Sequence, residues 1–124
     1  YPENEGFAIK KIVEPFDEEV IITKKVNSSF IGTNLEEILK GNGIETVVIT
    51  GLTTPHCVST TTRMSGNLGF ATYLISDATA AFGMKDQNEI YYDAATIHNI
   101  SLATLHDEFA TILTTEQLIN DFIK

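Results

Sequence analysis

Residues 46–57 read Thr-Val-Val-Ile-Thr-Gly-Leu-Thr-Thr-Pro-His-Cys, an apolar β-branched run that meets a glycine and then delivers the only cysteine of the chain. Val47, Val48 and Ile49 predict a short strand of a parallel sheet, buried on both faces and ending at about Gly51, with Pro55 punctuating the turn beyond it. A helix opening near Pro55 or His56 then sets Cys57 at a strand-to-helix turn. In open α/β sheets, ligands bind just beyond the carboxyl ends of strands, so this position suits chemistry.

A helix start directs unpaired N–H groups and a positive dipole end at such a sulfur, which favours thiolate over thiol. A dipole contribution of about 1 kcal/mol changes the charged fraction only about fivefold, so a nearby cation or base must supply the rest. Against this stands the simplest role of a single cysteine, that of a small buried hydrophobe. The punctuated junction, unlike the inner face of a helix middle, puts a working thiol level with that role.

The 124 residues, 43% of them hydrophobic, amount to one domain with a real core. A net charge of −9 leaves no basic stripe to neutralise phosphates, so neither nucleic acid nor an anionic membrane is an expected partner. One cysteine forms no internal disulfide, and no apolar run approaches the length of about 18 residues that a membrane span needs. The expected setting is soluble, reducing and cytoplasmic. The chain opens on Tyr1 and a loop-like Pro-Glu-Asn-Glu-Gly, and a preceding segment is expected.

Residues 1–18 read as connecting material around an apolar patch, Phe7 to Val13. Val20–Ile22 predict the first strand, ending at Thr23 and the pair Lys24 and Lys25. Thr33 with Glu36 reads as a capping box for a helix whose apolar face is Leu35, Ile38 and Leu39, ended by Gly41 and Gly43. After the central strand come a helix from about Cys57 to Asn67 and a strand over 70–76. A loop at 78–87 precedes a helix over 88–105, which Asn99 and Ser101 could interrupt. A strand over 109–113 and a last helix, opened by a capping box of Thr114 and Gln117, complete a βαβ rhythm. His98 and His106 match no metal-ligand spacing and are expected at the surface or hydrogen-bonded in the core. His56 neighbours Cys57 but projects roughly 100° away, which suits a pocket wall better than a Cys–His dyad.

Lys24, Ser29-Phe30, Gly32-Thr33-Asn34-Leu35, Gly51-Leu-Thr-Thr-Pro-His-Cys57-Val58, Thr62-Arg63, Gly69-Phe70 and Ser76-Asp77-Ala78 together carry a resemblance. From about residue 19 onward the chain resembles the isochorismatase-like cysteine hydrolases, in the branch of nicotinamidase and N-carbamoylsarcosine amidase. The resemblance implies a three-layer α/β/α, Rossmann-like fold with a parallel sheet of order 3-2-1-4-5-6. Strands 1 and 2 of that order are expected upstream of Tyr1, as is the aspartate of an Asp–Lys–Cys triad. Without them, strand 3 has no neighbour and strand 4 becomes an open edge, so residues 1–124 are not expected to fold alone as a competent enzyme.

Within this sequence the resemblance implies Cys57 as nucleophile and Lys24 as its cation. It also implies an oxyanion hole from the Thr53 and Cys57 N–H groups, with a cis peptide between Leu52 and Thr53. Phe30, Leu52 and His56 would be pocket walls. No metal or cofactor is assigned, the substrate class is a small molecule, and the family's habit implies a homo-oligomer. The expected reaction is hydrolysis of a small amide or related C–N bond through a thioester on Cys57. The alternative is a catalytically inactive homologue, a binding or assembly module of the same fold.

Overall fold

The computed structural model describes residue 11 and residues 14–122. The apolar patch at Phe7 to Val13 lies, apart from Lys11, outside those residues. β1 (Thr46–Leu52), β2 (Ala71–Ala80) and β5 (Thr111–Leu113) form a parallel sheet in the order β1-β2-β5. β3 (Met84–Lys85) and β4 (Tyr91–Tyr92) pair as a small antiparallel hairpin. The helices are α1 (Leu35–Gly41), α2 (Ser59–Asn67), α3 (Ala94–Leu105) and α4 (Thr115–Phe122).

Alternation along the strands sends neighbouring side chains to opposite faces. Leu74, fully buried, joins Ile49, Val58, Leu102, Leu105 and Ala110 in the core, which places α3 and the segment after β1 on one face. The next side chain along β2, Tyr73, points the other way and meets Phe122 of α4 at 4.9 Å between ring centroids. Helices therefore cover β2 from both sides, and the sheet is the middle layer of an α/β fold. Gly66 of α2 is required by closeness: a Cβ there would lie 2.7 Å from the Phe109 carbonyl oxygen.

β1 differs from expectation. Ile49 is buried and Val47 packs on the core, but Val48 on the opposite face is 44% exposed. The described residues leave that face partly open, so the strand is fully buried on one side only. Residues 20–22 form no strand: the segment has no regular secondary structure, with Val20 and Ile21 about 70% exposed. β-branched residues favour extended backbone, but a strand requires a ladder partner, and none of the described strands lies beside them.

Local signals succeeded unevenly. The Thr114–Gln117 capping box forms in both directions: the Gln117 N–H donates to Thr114 Oγ1 at 3.1 Å and the Thr114 N–H donates to Gln117 Oε1 at 2.9 Å. The Thr33–Glu36 box does not form. The N-cap position is taken by Asn34, Thr33 Oγ1 donates to the Ser29 carbonyl, and Glu36 pairs with Lys40. The helix expected from Asn88 starts at Ala94, because Asp86 gathers residues 88–90 into a turn and Asp93 Oδ1 accepts the Thr96 N–H at 2.8 Å as N-cap. Ser101 does not interrupt α3, since its hydroxyl is absorbed by the Ile97 carbonyl one turn back.

The β1–β2 ladder changes register near its end. Between the Ile49–Leu74 and Gly51–Thr79 pairs, β1 advances by two residues and β2 by five. Gly51 has φ 125°, a conformation that a residue with a Cβ rarely adopts. The bowed stretch of β2 is closed internally by Thr79 Oγ1, which donates to the Ile75 carbonyl at 3.2 Å.

Candidate active site

β1 runs out at Leu52, and the Leu52–Thr53 peptide is cis. One wide turn, Thr54–Val58, comes next; it is closed on the Thr53 carbonyl, which accepts the His56 N–H at 3.1 Å and the Val58 N–H at 3.3 Å. His56 is non-helical (φ −113°, ψ −106°), and regular helix begins only at Ser59. Cys57 thus sits in the turn before the helix, half-buried, with Val58 anchored in the core directly after it.

Lys24 reaches this turn from the irregular segment at residues 20–24. Its Nζ donates to Cys57 Sγ at 3.2 Å and to the Val26 carbonyl at 3.0 Å, so the cation is held by its own loop while it faces the sulfur. Asn27 Oδ1 lies 3.8 Å from the same sulfur. Thr61, one helical turn beyond Cys57, fastens the loop in place: its Oγ1 accepts the Ser29 N–H at 3.0 Å and lies 3.2 Å from Ser29 Oγ. Thr61 lies in the first turn of α2, directly after the turn that carries Cys57, and so meets the loop that carries the lysine.

Lys24, Ser29, Thr50, Leu52, Cys57 and Thr61 border a cavity of about 230 Å³. Of the three residues expected as pocket walls, Leu52 borders it. Phe30 is buried elsewhere, stacked on Phe70 with centroids 6.1 Å apart. His56 is exposed, with Nδ1 2.9 Å from Thr53 Oγ1, so it braces the turn from outside. Lys25, the other lysine of the pair, is exposed.

His98 is half-buried and hydrogen-bonded through both ring nitrogens, with Nδ1 2.8 Å from Thr54 Oγ1 and Nε2 2.9 Å from the Ser76 carbonyl oxygen. Asp77, beside it on the bowed part of β2, accepts from both the N–H and the hydroxyl of Thr115 at 2.8 and 2.7 Å. Those two bonds, the hydroxyl's first, hold its carboxyl below the usual carboxylate range. Asp77 therefore serves the start of α4. Asp17 lies in an exposed turn. Among the described residues no three His, Cys, Asp or Glu side chains converge as a metal site. None of the described helices is long and apolar enough to cross a membrane.

Asn27, Thr54, Thr61 and His98 escape a reading of the sequence for reactive groups, because each acts through a partner distant in sequence.

The isochorismatase domain model matches residues 2–117. The isochorismatase family protein YrdC of Bacillus subtilis is 88% identical over the whole chain, which spans 66% of YrdC's length. N-carbamoylsarcosine amidase from Arthrobacter is 43% identical over 58 residues, 47% of this chain and 22% of that one. A crystal structure of an isochorismatase-family protein from Chromobacterium violaceum superposes with a TM-score of 0.92 at 38% identity, covering 96% of this chain and 62% of that one. This chain belongs to the isochorismatase family.

Proposed function

We propose that the protein is a cysteine-dependent hydrolase of a small amide or related C–N bond. The observation that carries this reading is the 3.2 Å approach of Lys24 Nζ to Cys57 Sγ at the edge of a small cavity. A lysine ammonium at that distance favours the thiolate, and the cavity admits a small substrate. The amidase among the relatives supports the amide class.

In this mechanism the Cys57 proton passes to the aspartate of the Asp–Lys–Cys triad that the family resemblance implies. The thiolate attacks the carbonyl carbon, and the oxyanion rests on the N–H groups of Thr53 and Cys57. Collapse breaks the C–N bond; the amine leaves with a proton, and a thioester remains on Cys57. Water then hydrolyses the thioester, releasing the acid and restoring the thiol.

The test is ammonia release by the full-length protein from a panel of small primary amides and carbamoyl compounds. Mass spectrometry of the quenched reaction looks for an acyl adduct on Cys57. Cys57→Ala should abolish both signals while the far-ultraviolet circular dichroism stays unchanged. Turnover retained in Cys57→Ala would reject covalent catalysis by this residue.

A further inference from the structure

We infer that His98 is a positioning residue for the nucleophile turn, acting through Thr54. The inference rests on the reading of Cys57 as a nucleophile and adds a residue on a different helix to its machinery.

Thr54 opens the Cys57 turn and is fully buried. Its Oγ1 lies 2.8 Å from His98 Nδ1, and His98 Nε2 lies 2.9 Å from the Ser76 carbonyl oxygen. A carbonyl oxygen can only accept, so Nε2 carries the proton. In the neutral ring Nδ1 is then a lone pair, and the Thr54 hydroxyl donates to it. The imidazole thus ties the first residue of the turn to the bowed end of β2, each nitrogen used once.

Docking α3 does not require this arrangement, since Leu102 and Leu105 already anchor that helix in the apolar core. The bridge instead fixes the residue next to Thr53, whose carbonyl closes the turn through His56 and Val58. The placement of Cys57 Sγ against Lys24 Nζ, which approaches from another segment, depends on that turn. A misplacement of about 1 Å at a reacting group costs up to about a hundredfold in rate.

Side-chain reach selects the variants. Gln at 98 can return a donor near the Nε2 position but loses the acceptor for Thr54. Asn at 98 returns an acceptor near the Nδ1 position and loses the Ser76 bond. Thr54→Val removes the hydroxyl at nearly constant shape, and Thr54→Ser keeps it. The readouts, on the full-length protein, are the second-order rate of Cys57 alkylation by iodoacetamide at pH 7, relative to N-acetylcysteine, and the melting midpoint.

His98→Gln and Thr54→Val should each slow alkylation by about tenfold, whereas His98→Asn and Thr54→Ser stay within about twofold of the parent. The His98→Gln/Thr54→Val double variant should be no slower than either single one, because both remove the same link. Parent rates in His98→Gln and Thr54→Val, whatever their melting midpoints, would overturn the role of His98 and leave the nucleophile reading standing. A parent Cys57 no faster than N-acetylcysteine would overturn both. If His98→Gln fails to fold, the two Thr54 variants decide the matter by the same rates.

Discussion

Thr61 Oγ1 accepts the backbone N–H of Ser29 at 3.0 Å, joining the helix behind Cys57 to the loop that carries Lys24. Thr61→Val should leave that N–H without its partner and loosen the loop. The expected loss is about 1–2 kcal/mol in urea unfolding, with Thr61→Ser close to the parent. Alkylation of Cys57 should slow as well, because the cation is no longer held at the sulfur.

Lys24→Met keeps most of the apolar stem and removes the charge. Alkylation of Cys57 at pH 7 should fall roughly tenfold, the scale of a close cation in a partly exposed site. Lys25→Met, at an exposed neighbour, should leave the rate unchanged, and the pair of rates tests which lysine serves the thiol.

Leu74 is fully buried at the centre of the sheet, whereas Val48 is 44% exposed on the open face of β1. Leu74→Ala should cost about 2–5 kcal/mol by leaving a cavity, and Val48→Ala less than about 1 kcal/mol, both read from denaturant unfolding. Equal losses would mean that the outer face of β1 is covered in the whole protein.

Gly66→Ala sets helix propensity against contact. Alanine gains up to about 1 kcal/mol in a helix, but its Cβ would meet the Phe109 carbonyl oxygen at 2.7 Å. Backbone must move to relieve that approach, so the contact wins and the melting midpoint should fall.

Asp77 has its carboxyl held below the usual range by the two Thr115 bonds. A carboxylate depressed in the folded state stabilises above its unfolded pKa of about 3.9, and that contribution is lost as pH falls through the folded value. The melting midpoint of Asp77→Asn should therefore lie below the parent's at pH 7, with the gap closing below about pH 4.

How much the sequence discloses depends on the range over which each cause acts. Thr114 and Gln117 stand three residues apart and cap each other as their spacing predicts. The β-branched run at 47–49 makes a strand as its composition predicts, but which face is covered depends on other elements. Val20–Ile22 have the composition of a strand but pair with none of the described strands. The resemblance implies Phe30 as a pocket wall, and the ring stacks on Phe70, forty residues on. At Cys57 the punctuated turn is legible, and the resemblance alone singles out Lys24 from 33 residues away. The braces that hold the two together, Thr61 and His98, are common residues in ordinary stretches. Only contact identifies them.

The register change in β2 has a consequence for any attempt to idealise this fold. The bowed residues include Ser76, whose carbonyl receives His98 of α3, and Asp77, whose carboxylate receives Thr115 at the start of α4. A designer who deleted the extra residues would obtain a smoother ladder and lose the attachment points of two helices. The irregularity works as a junction box: where the strand departs from its neighbour, its polar groups become available to elements on either side of the sheet.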